Sequence, residues 1–325
     1  MGRVPRVLFV LAGLSPLWAA DPLNLYFIDT EGGHATLVVA PSGASLLIDT
    51  GHEGYGGRDA TRIRTAAKDA GVKKIDYLLV TSFQSDHIGG IKNVLEVLPV
   101  GTFLDQGAGP GGYPEPYQAG FAKGKHQVVA PGDTIPMKGL SVTVVAAAGR
   151  EVAAAGGPNA HCDGVPMQPE DIDEDSRSVA VVIEFGKFRF VSLGDLTWNR
   201  ELSLLCPQNK VGQADVYLST RHGAESSKAI WGIAPRVAIL NNGPRTGGEA
   251  AAFKNVMASP GIEDLWQLHF AMANGAAANA PDALIANLQE AGDGSHLKVS
   301  VAADGSFTVL NTRNKYSRKY GPAAR

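Results

Sequence analysis

The chain is predicted to fold as one mixed α/β domain, and three observations predict it. Short runs rich in β-branched and aromatic residues alternate with amphipathic helical runs along most of the 325 residues. No low-complexity linker and no repeat of fixed period divides them, so one layered core is expected rather than two independent units. Finally, Asp86, His87, Asp195 and His222 each follow closely on an apolar β-like run, the pattern produced when strand ends deliver polar side chains to one edge of a sheet.

Residues 23–28, 35–40 and 45–48 read as three successive strands separated by turns that contain glycine or proline. Residues 58–70 have the composition of an amphipathic helix stopped at Gly71. Residues 77–80 are a buried-strand run, and residues 91–98 a short helix beginning just past Gly89-Gly90. From 107 to 175 the chain is rich in Gly, Pro and Ala, and only 126–129 and 141–146 resemble strands. A long irregular connection that could form a rim over a site is expected there. Residues 178–185 and 188–193 form a hairpin turning at Gly186-Lys187, with Phe185, Phe188 and Phe190 in the core. Short strands follow at 215–218, 237–240 and 265–269, with helices at 249–257 and 282–291, and a last hairpin, 296–302 and 306–310, turns at Asp304-Gly305. Trp198, Trp231 and Trp266 fall at element boundaries and are expected to pack there.

The ends and the charge bound the function. Residues 1–20 carry Arg3 and Arg6, then an interrupted apolar stretch ending in Ala19-Ala20, which reads as a secretory signal peptide too short to span a bilayer. A secreted or periplasmic domain over 21–312 and a basic, solvated tail over 313–325 are expected, with no further membrane segment. Without residues 1–20 the chain has 27 basic and 32 acidic residues, a formal charge of −5, which disfavours a groove for nucleic acid. Nothing in the sequence fixes an oligomeric state. Export would place Cys162 and Cys206 where disulfides persist, so a bridge between them is favoured over two buried free thiols. It would contribute ~3–4 kcal/mol through the unfolded chain.

Two carboxylates and two imidazoles, Asp86, His87, Asp195 and His222, are a chemically sensible ligand set for zinc, a borderline ion that takes nitrogen and oxygen donors. Water activated by such an ion attacks an ester, amide or phosphoester. Taken singly, an Asp-His step is more often a turn and a lone histidine a structural group.

The order of these elements resembles the metallo-β-lactamase superfamily over nearly the whole mature chain. The family's Leu-Ile-Asp-Thr-Gly element is matched by Leu47-Ile48-Asp49-Thr50-Gly51, and its His-x-His-x-Asp-His-x-Gly-Gly loop by Ser82-Phe83-Gln84-Ser85-Asp86-His87-Ile88-Gly89-Gly90. Its Gly-Asp after a hairpin is matched by Gly194-Asp195, and its later His-Gly by His222-Gly223. The resemblance implies an αββα sandwich of two mixed sheets flanked by helices. Within the superfamily the branch it most resembles is the metallo-hydrolase domain of DNA-uptake competence proteins and its secreted relatives. The opening Phe27-Ile28-Asp29-Thr30-Glu31-Gly32-Gly33-His34-Ala35-Thr36-Leu37 and the hairpin entry Asp175-Ser176-Arg177-Ser178-Val179 carry that likeness.

The motif departs from the family at its first two histidines, which are Ser82 and Gln84 here, and at Arg221, where relatives often carry another histidine. The resemblance therefore implies that one of two metal positions is lost. The other keeps Asp86, His87, Asp195 and His222, with about one zinc per chain and Asp86 also able to orient the attacking water. Arg221, Asn242 and Arg245 are expected to contact substrate, an arginine supplying the positive charge of the missing metal. His161 reads as a loop histidine beside Cys162, and His34 and His52 as strand-end loop residues with exposure as the default. Three functions follow: a secreted metal-dependent hydrolase, a non-catalytic binding protein on the same frame, or a phosphodiesterase or nuclease, which the charge disfavours. The substrate pocket would be shaped by residues 54–57 and 107–175, and β-lactam hydrolysis is not expected of this branch.

Overall fold

The computed structural model describes residues 21–153, 156–169, 172–291 and 294–323; the signal segment expected at 1–20 lies outside the described residues. Apolar runs form strands buried on both faces. The first layer is built from β1 (Leu23–Phe27), β2 (Thr36–Val39), β3 (Ser45–Ile48), β4 (Ile75–Leu79), β5 (Val100–Asp105) and β6 (Lys125–Val128). The second holds β7 (Ser141–Ala147), β8 (Arg150–Glu151), β9 (Ala180–Phe185), β10 (Phe188–Ser192), β11 (Val216–Leu218), β12 (Val237–Leu240), β13 (Asp264–His269) and β14 (Ile285–Asn287). The chain then returns to the first layer with β15 (Leu297–Val301), β16 (Phe307–Asn311) and β17 (Ser317–Tyr320).

Among the described residues the first sheet runs β17-β16-β15-β1-β2-β3-β4-β5-β6 and the second β14-β13-β12-β11-β10-β9-β7-β8. Both are mixed. β3 to β6 and β10 to β14 are parallel, and the hairpins β1-β2-β3 and β9-β10 are antiparallel. Parallel strands covered on both faces need continuous apolar sequence, and β12, Val-Ala-Ile-Leu, is buried at every position. Leu25, Phe27, Ile48, Val181, Phe190 and Ile239 belong to the core cluster that joins the two sheets, where Phe27 meets Phe190 edge-on at 5.6 Å. The outer face of the first sheet is covered by α1 (Arg58–Asp69), then, after the one-turn α2 (Ser85–Ile88), by α3 (Ile91–Val97) and α4 (Glu115–Phe121). α5 (Trp198–Leu205) and α6 (Ala250–Met257) follow strands of the second sheet and send Leu202, Leu204, Phe253 and Val256 into the main core cluster. This is the α/β architecture of two mixed sheets with flanking helices that the sequence predicts.

Several elements differ from expectation. The segment 107–175 contains α4, whose Tyr117 is fully buried beside Phe103 and Phe121. Its aromatic face outweighs the surrounding glycine and proline. The helix expected at 282–291 is instead a single turn, Asp282–Leu284, followed by β14, because Ile285 and Ala286 complete the edge of the second sheet and Pro281 limits any helix before them. The basic tail is not a frayed end: β17 pairs with β16, Tyr320 is buried against Phe307, and Arg318 reaches Asp264 at 2.7 Å. β5 and α5 carry no expectation from the sequence. Cys162 and Cys206 are bridged. No helix among the described residues is long and apolar enough to cross a membrane.

Candidate metal centre

The site is framed before its ligands are considered. β3 and β4 are parallel neighbours, and the loops leaving their C-terminal ends lie side by side. Thr50 N–H donates to His87 O at 2.7 Å, and Gly90 N–H donates to Gly51 O at 3.0 Å. A Cβ on Gly90 would stand 2.1 Å from Thr50 O, and one on Gly89 would stand 2.2 Å from Ser85 O. Glycine at both positions is therefore a packing requirement of the loop. The resulting single turn α2 projects Asp86 and His87 toward the second sheet.

There they meet two side chains from loops after β10 and β11. Ligand atoms of Asp86, His87, Asp195 and His222 all lie within 4.8 Å of one another. Asp195 Oδ2 is 3.2 Å from Nε2 of both His87 and His222, while Asp86 Oδ2 is 3.4 Å from His222 Nε2 and 3.9 Å from His87 Nε2. Three of the four residues are buried. Both Nε2 atoms are buried without a hydrogen-bond partner. Orphaned imidazole nitrogens of this kind, turned toward two carboxylates, fit a cation at their centre.

Each histidine is held from behind. His87 Nδ1 lies 2.8 Å from Asp49 Oδ2, and that same oxygen takes His34 Nδ1 at 2.7 Å. Asp49 also accepts from Thr81 N–H at 2.7 Å, which ties β3 to the start of the loop. The side-chain amide of Asn241 lies 2.9 Å from His222 Nδ1. Turned so that its otherwise unpartnered Oδ1 accepts from Nδ1–H, that amide leaves the His222 Nε2 lone pair facing the cluster. Asp49, Arg221 and His222 all have left-handed backbone, φ 60°, 49° and 55°. Non-glycine residues rarely adopt it, and three at one site are strain retained where the geometry is needed.

The charges are strongly coupled. Burial disfavours an ionised Asp195, yet the His222 and His87 charges hold its carboxyl well below the usual range. Burial likewise opposes the imidazolium forms, but Asp195 and Asp49 raise His87 well above its ordinary value, and Asp195 lifts His222 to about 9. Asp49 would be raised by burial and is instead held at about 2 by His87 and His34. In the metal-free chain both imidazoles thus carry protons that a bound cation would displace.

Other candidates fall elsewhere. Ser82 is buried and its Oγ accepts from Gln84 N–H at 3.2 Å, within its own loop. Arg221 donates to Asp175 Oδ2 at 2.9 Å and lies 3.6 Å from Glu225. It also lines a cavity of about 430 Å³ with Thr197, Trp198, Asn199 and Ala251. Asp175 is buried; burial and the Asp195 charge push its carboxyl up to about 7. Asn242 is buried and donates to Gly243 O and His269 O, so its amide braces the loop after β12 rather than offering a donor to a substrate. Arg245 is 70 % exposed and pairs with Glu290. His34 is buried, not exposed, and belongs to the support of His87. His161 packs edge-on against Trp231 at 5.5 Å beside the disulfide. Sequence reasoning gave Asp49 and Asp175 a place in a motif only, and Asn241 a place in a turn. The one local signal for Asn241 and Asp49 was their place directly after a strand.

A second acidic group, Asp29, Glu31 and His269, is neutralised from one side: Arg62 reaches Asp29 at 2.8 Å and Glu31 at 3.0 Å, and Arg58 also pairs with Glu31.

Residues 28–166 match the family model described as metallo-beta-lactamase superfamily. That stretch is thus similar to the superfamily, and the strand ends of the fold carry candidate metal-ligand clusters. Asp195 and His222 lie beyond the matched residues, and geometry alone joins them to Asp86 and His87. A comparison with curated proteins finds no match. Among solved structures, the metallo-beta-lactamase fold protein YhfI from Bacillus subtilis is 14% identical, with 76% of this chain and 97% of that one covered and a TM-score of 0.49. Tm1679, described as a metal-dependent hydrolase of the beta-lactamase superfamily, is 14% identical, with 75% and 95% covered and a TM-score of 0.46.

Proposed function

We propose that the protein is an exported metal-dependent hydrolase that holds one zinc ion between Asp86, His87, Asp195 and His222. The spacing of the donor atoms carries this reading. Zinc ligands at about 2.0–2.1 Å in a tetrahedron stand about 3.3–3.4 Å apart; the four imidazole–carboxylate separations here run from 3.2 to 3.9 Å, and all six pairs of ligand atoms lie within 4.8 Å. Two nitrogens and two oxygens suit zinc over softer or harder ions. When bound, with a further coordination position left open to water, such an ion would supply a nucleophile near neutral pH and polarise the scissile group.

The protein's own residues do the positioning. Asp49 and Asn241 fix the ring orientation of His87 and His222 through Nδ1. Asp86 is the most accessible of the four, and its carboxylate accepts a hydrogen bond from the attacking water and orients it. Esters, amides and phosphoesters of small molecules are the substrate class, and the mature charge of −5 argues against nucleic acid. Export is supported by residues 1–20 and by the disulfide. Within the superfamily, the opening segment 27–37 supports a place beside the secreted competence-protein branch.

The test is turnover by the zinc-loaded chain on chromogenic ester, amide and phosphodiester panels, with Asp195→Asn as control. Hydrolysis of one class, lost in the variant, is expected. A chain that binds zinc and turns over none of them would instead be a binding protein on a hydrolase frame.

A further inference from the structure

We infer that the Asp175–Arg221 ion pair restricts this site to a single metal, its guanidinium supplying the fixed positive charge on the side where the loop has Ser82 and Gln84; the inference rests on the metal reading above. The turn Asp175–Arg177 and the residues flanking it form a strap docked onto that loop. Glu174 Oε1 accepts from Phe83 N–H at 3.1 Å, and Val179 N–H donates to Thr81 O at 2.9 Å. The strap therefore abuts the loop at Thr81 and Phe83, which flank Ser82 and precede Gln84, the residues at two ligand positions of the motif.

Arg221 reaches the same place from the second sheet. Its left-handed backbone is pinned by its N–H, which donates to Gly194 O at 3.1 Å, next to Asp195. Its side chain crosses to Asp175, a partner 46 residues distant in sequence. Asp175 has one oxygen on Arg221 and a second, Oδ1, buried with no partner. The pair is anchored on both sides of the site, through Arg221 N–H to Gly194 O beside Asp195 and through Val179 N–H to Thr81 O on the loop. A carboxylate so placed would be a natural further ligand, and the arginine neutralises it. A guanidinium is charged at every accessible pH, so it occupies the Asp175 carboxylate at any pH at which a second divalent ion would compete for it. Two features thus act together: the loop lacks imidazole donors, and the remaining carboxylate is occupied by a cation that cannot dissociate a proton.

The test is zinc titration with bound metal per chain read by elemental analysis after gel filtration, and circular dichroism as a check of folding. The parent and Ser82→His/Gln84→His are each expected to bind one zinc. Adding Arg221→Asn, a residue that tolerates the left-handed backbone, is expected to raise the double variant to two by freeing Asp175. Arg221→Gly repeats the test should the Asn variant not fold. Two zincs in the double variant with Arg221 intact would overturn the inference, as would one zinc after Arg221 is removed. A parent that binds none overturns the metal reading itself, and the inference with it.

Discussion

The two flanks of the candidate metal centre are built on one backbone loop and differ in what stands behind their side chains. At Asp86 and His87 the side chains point away from the loop, His87 is braced by Asp49, and its partner His222 is braced by Asn241. At Ser82 and Gln84 the side chain of Ser82 turns back onto its own loop, and the neighbouring space is taken by a strap carrying Asp175 and its arginine. The loop keeps its path in both flanks because backbone contacts set it: Thr50 to His87, Gly51 to Gly90, Val179 to Thr81. The frame of each flank is therefore set by backbone contacts and not by the side chains it carries.

The comparison is broken most severely at Asp195, which touches both imidazoles. Asp195→Asn should weaken zinc binding by well over the roughly 10–100-fold that loss of an outer partner costs, measured by competition with a chromophoric chelator. A smaller loss would mean that Asp195 is not a ligand.

Proton competition comes next. His222 is held at about 9 in the metal-free chain and must lose its Nε2 proton to bind. Zinc affinity should thus rise by up to about tenfold per pH unit for each proton displaced, between pH 7 and 9, and then level off. The sign for stability is opposite. A histidine raised above its ordinary 6.5 stabilises the metal-free fold below that value, and this contribution is lost as pH rises through about 9. Calorimetry in buffers of different ionisation enthalpy reads the protons released; a pH-independent affinity contradicts the assignment.

The supports are worth less than the ligands. Asp49→Asn should cost about 10–100-fold in zinc affinity and Asn241→Ala about tenfold, because each removes the group that fixes an imidazole. Equal losses from substitutions at Asn242, which braces backbone instead, would dissolve that distinction. The smallest effect is expected on the other flank. Ser82→Ala and Gln84→Ala should leave affinity unchanged within about threefold, as neither offers a donor that competes with imidazole; a large loss would restore them as ligands.

Much of the frame could be read from the chain, because strand runs such as Val-Ala-Ile-Leu in β12 and the glycine pair after His87 are local signals of burial and close approach. The four residues that the structure brings together were legible for a related reason: each follows an apolar strand. What supports them was not. The His87–Asp49, His222–Asn241 and Asp175–Arg221 pairs join residues 38, 19 and 46 apart, and no periodicity encodes such pairings. The strand β14 was hidden because its three residues follow a helical turn and gain their pairing only from β13. Arg245 and Asn242 sat in a plausible loop, but their neighbours Glu290 and His269 decide where they point, and both are distant in sequence.

The central claim is that one intact flank holds one metal. Zinc per chain, measured on the purified mature protein beside His87→Ala, tests it most directly. The account predicts close to one zinc in the parent and none in the variant. Two zincs in the parent, or none even after loading with excess metal, would contradict it.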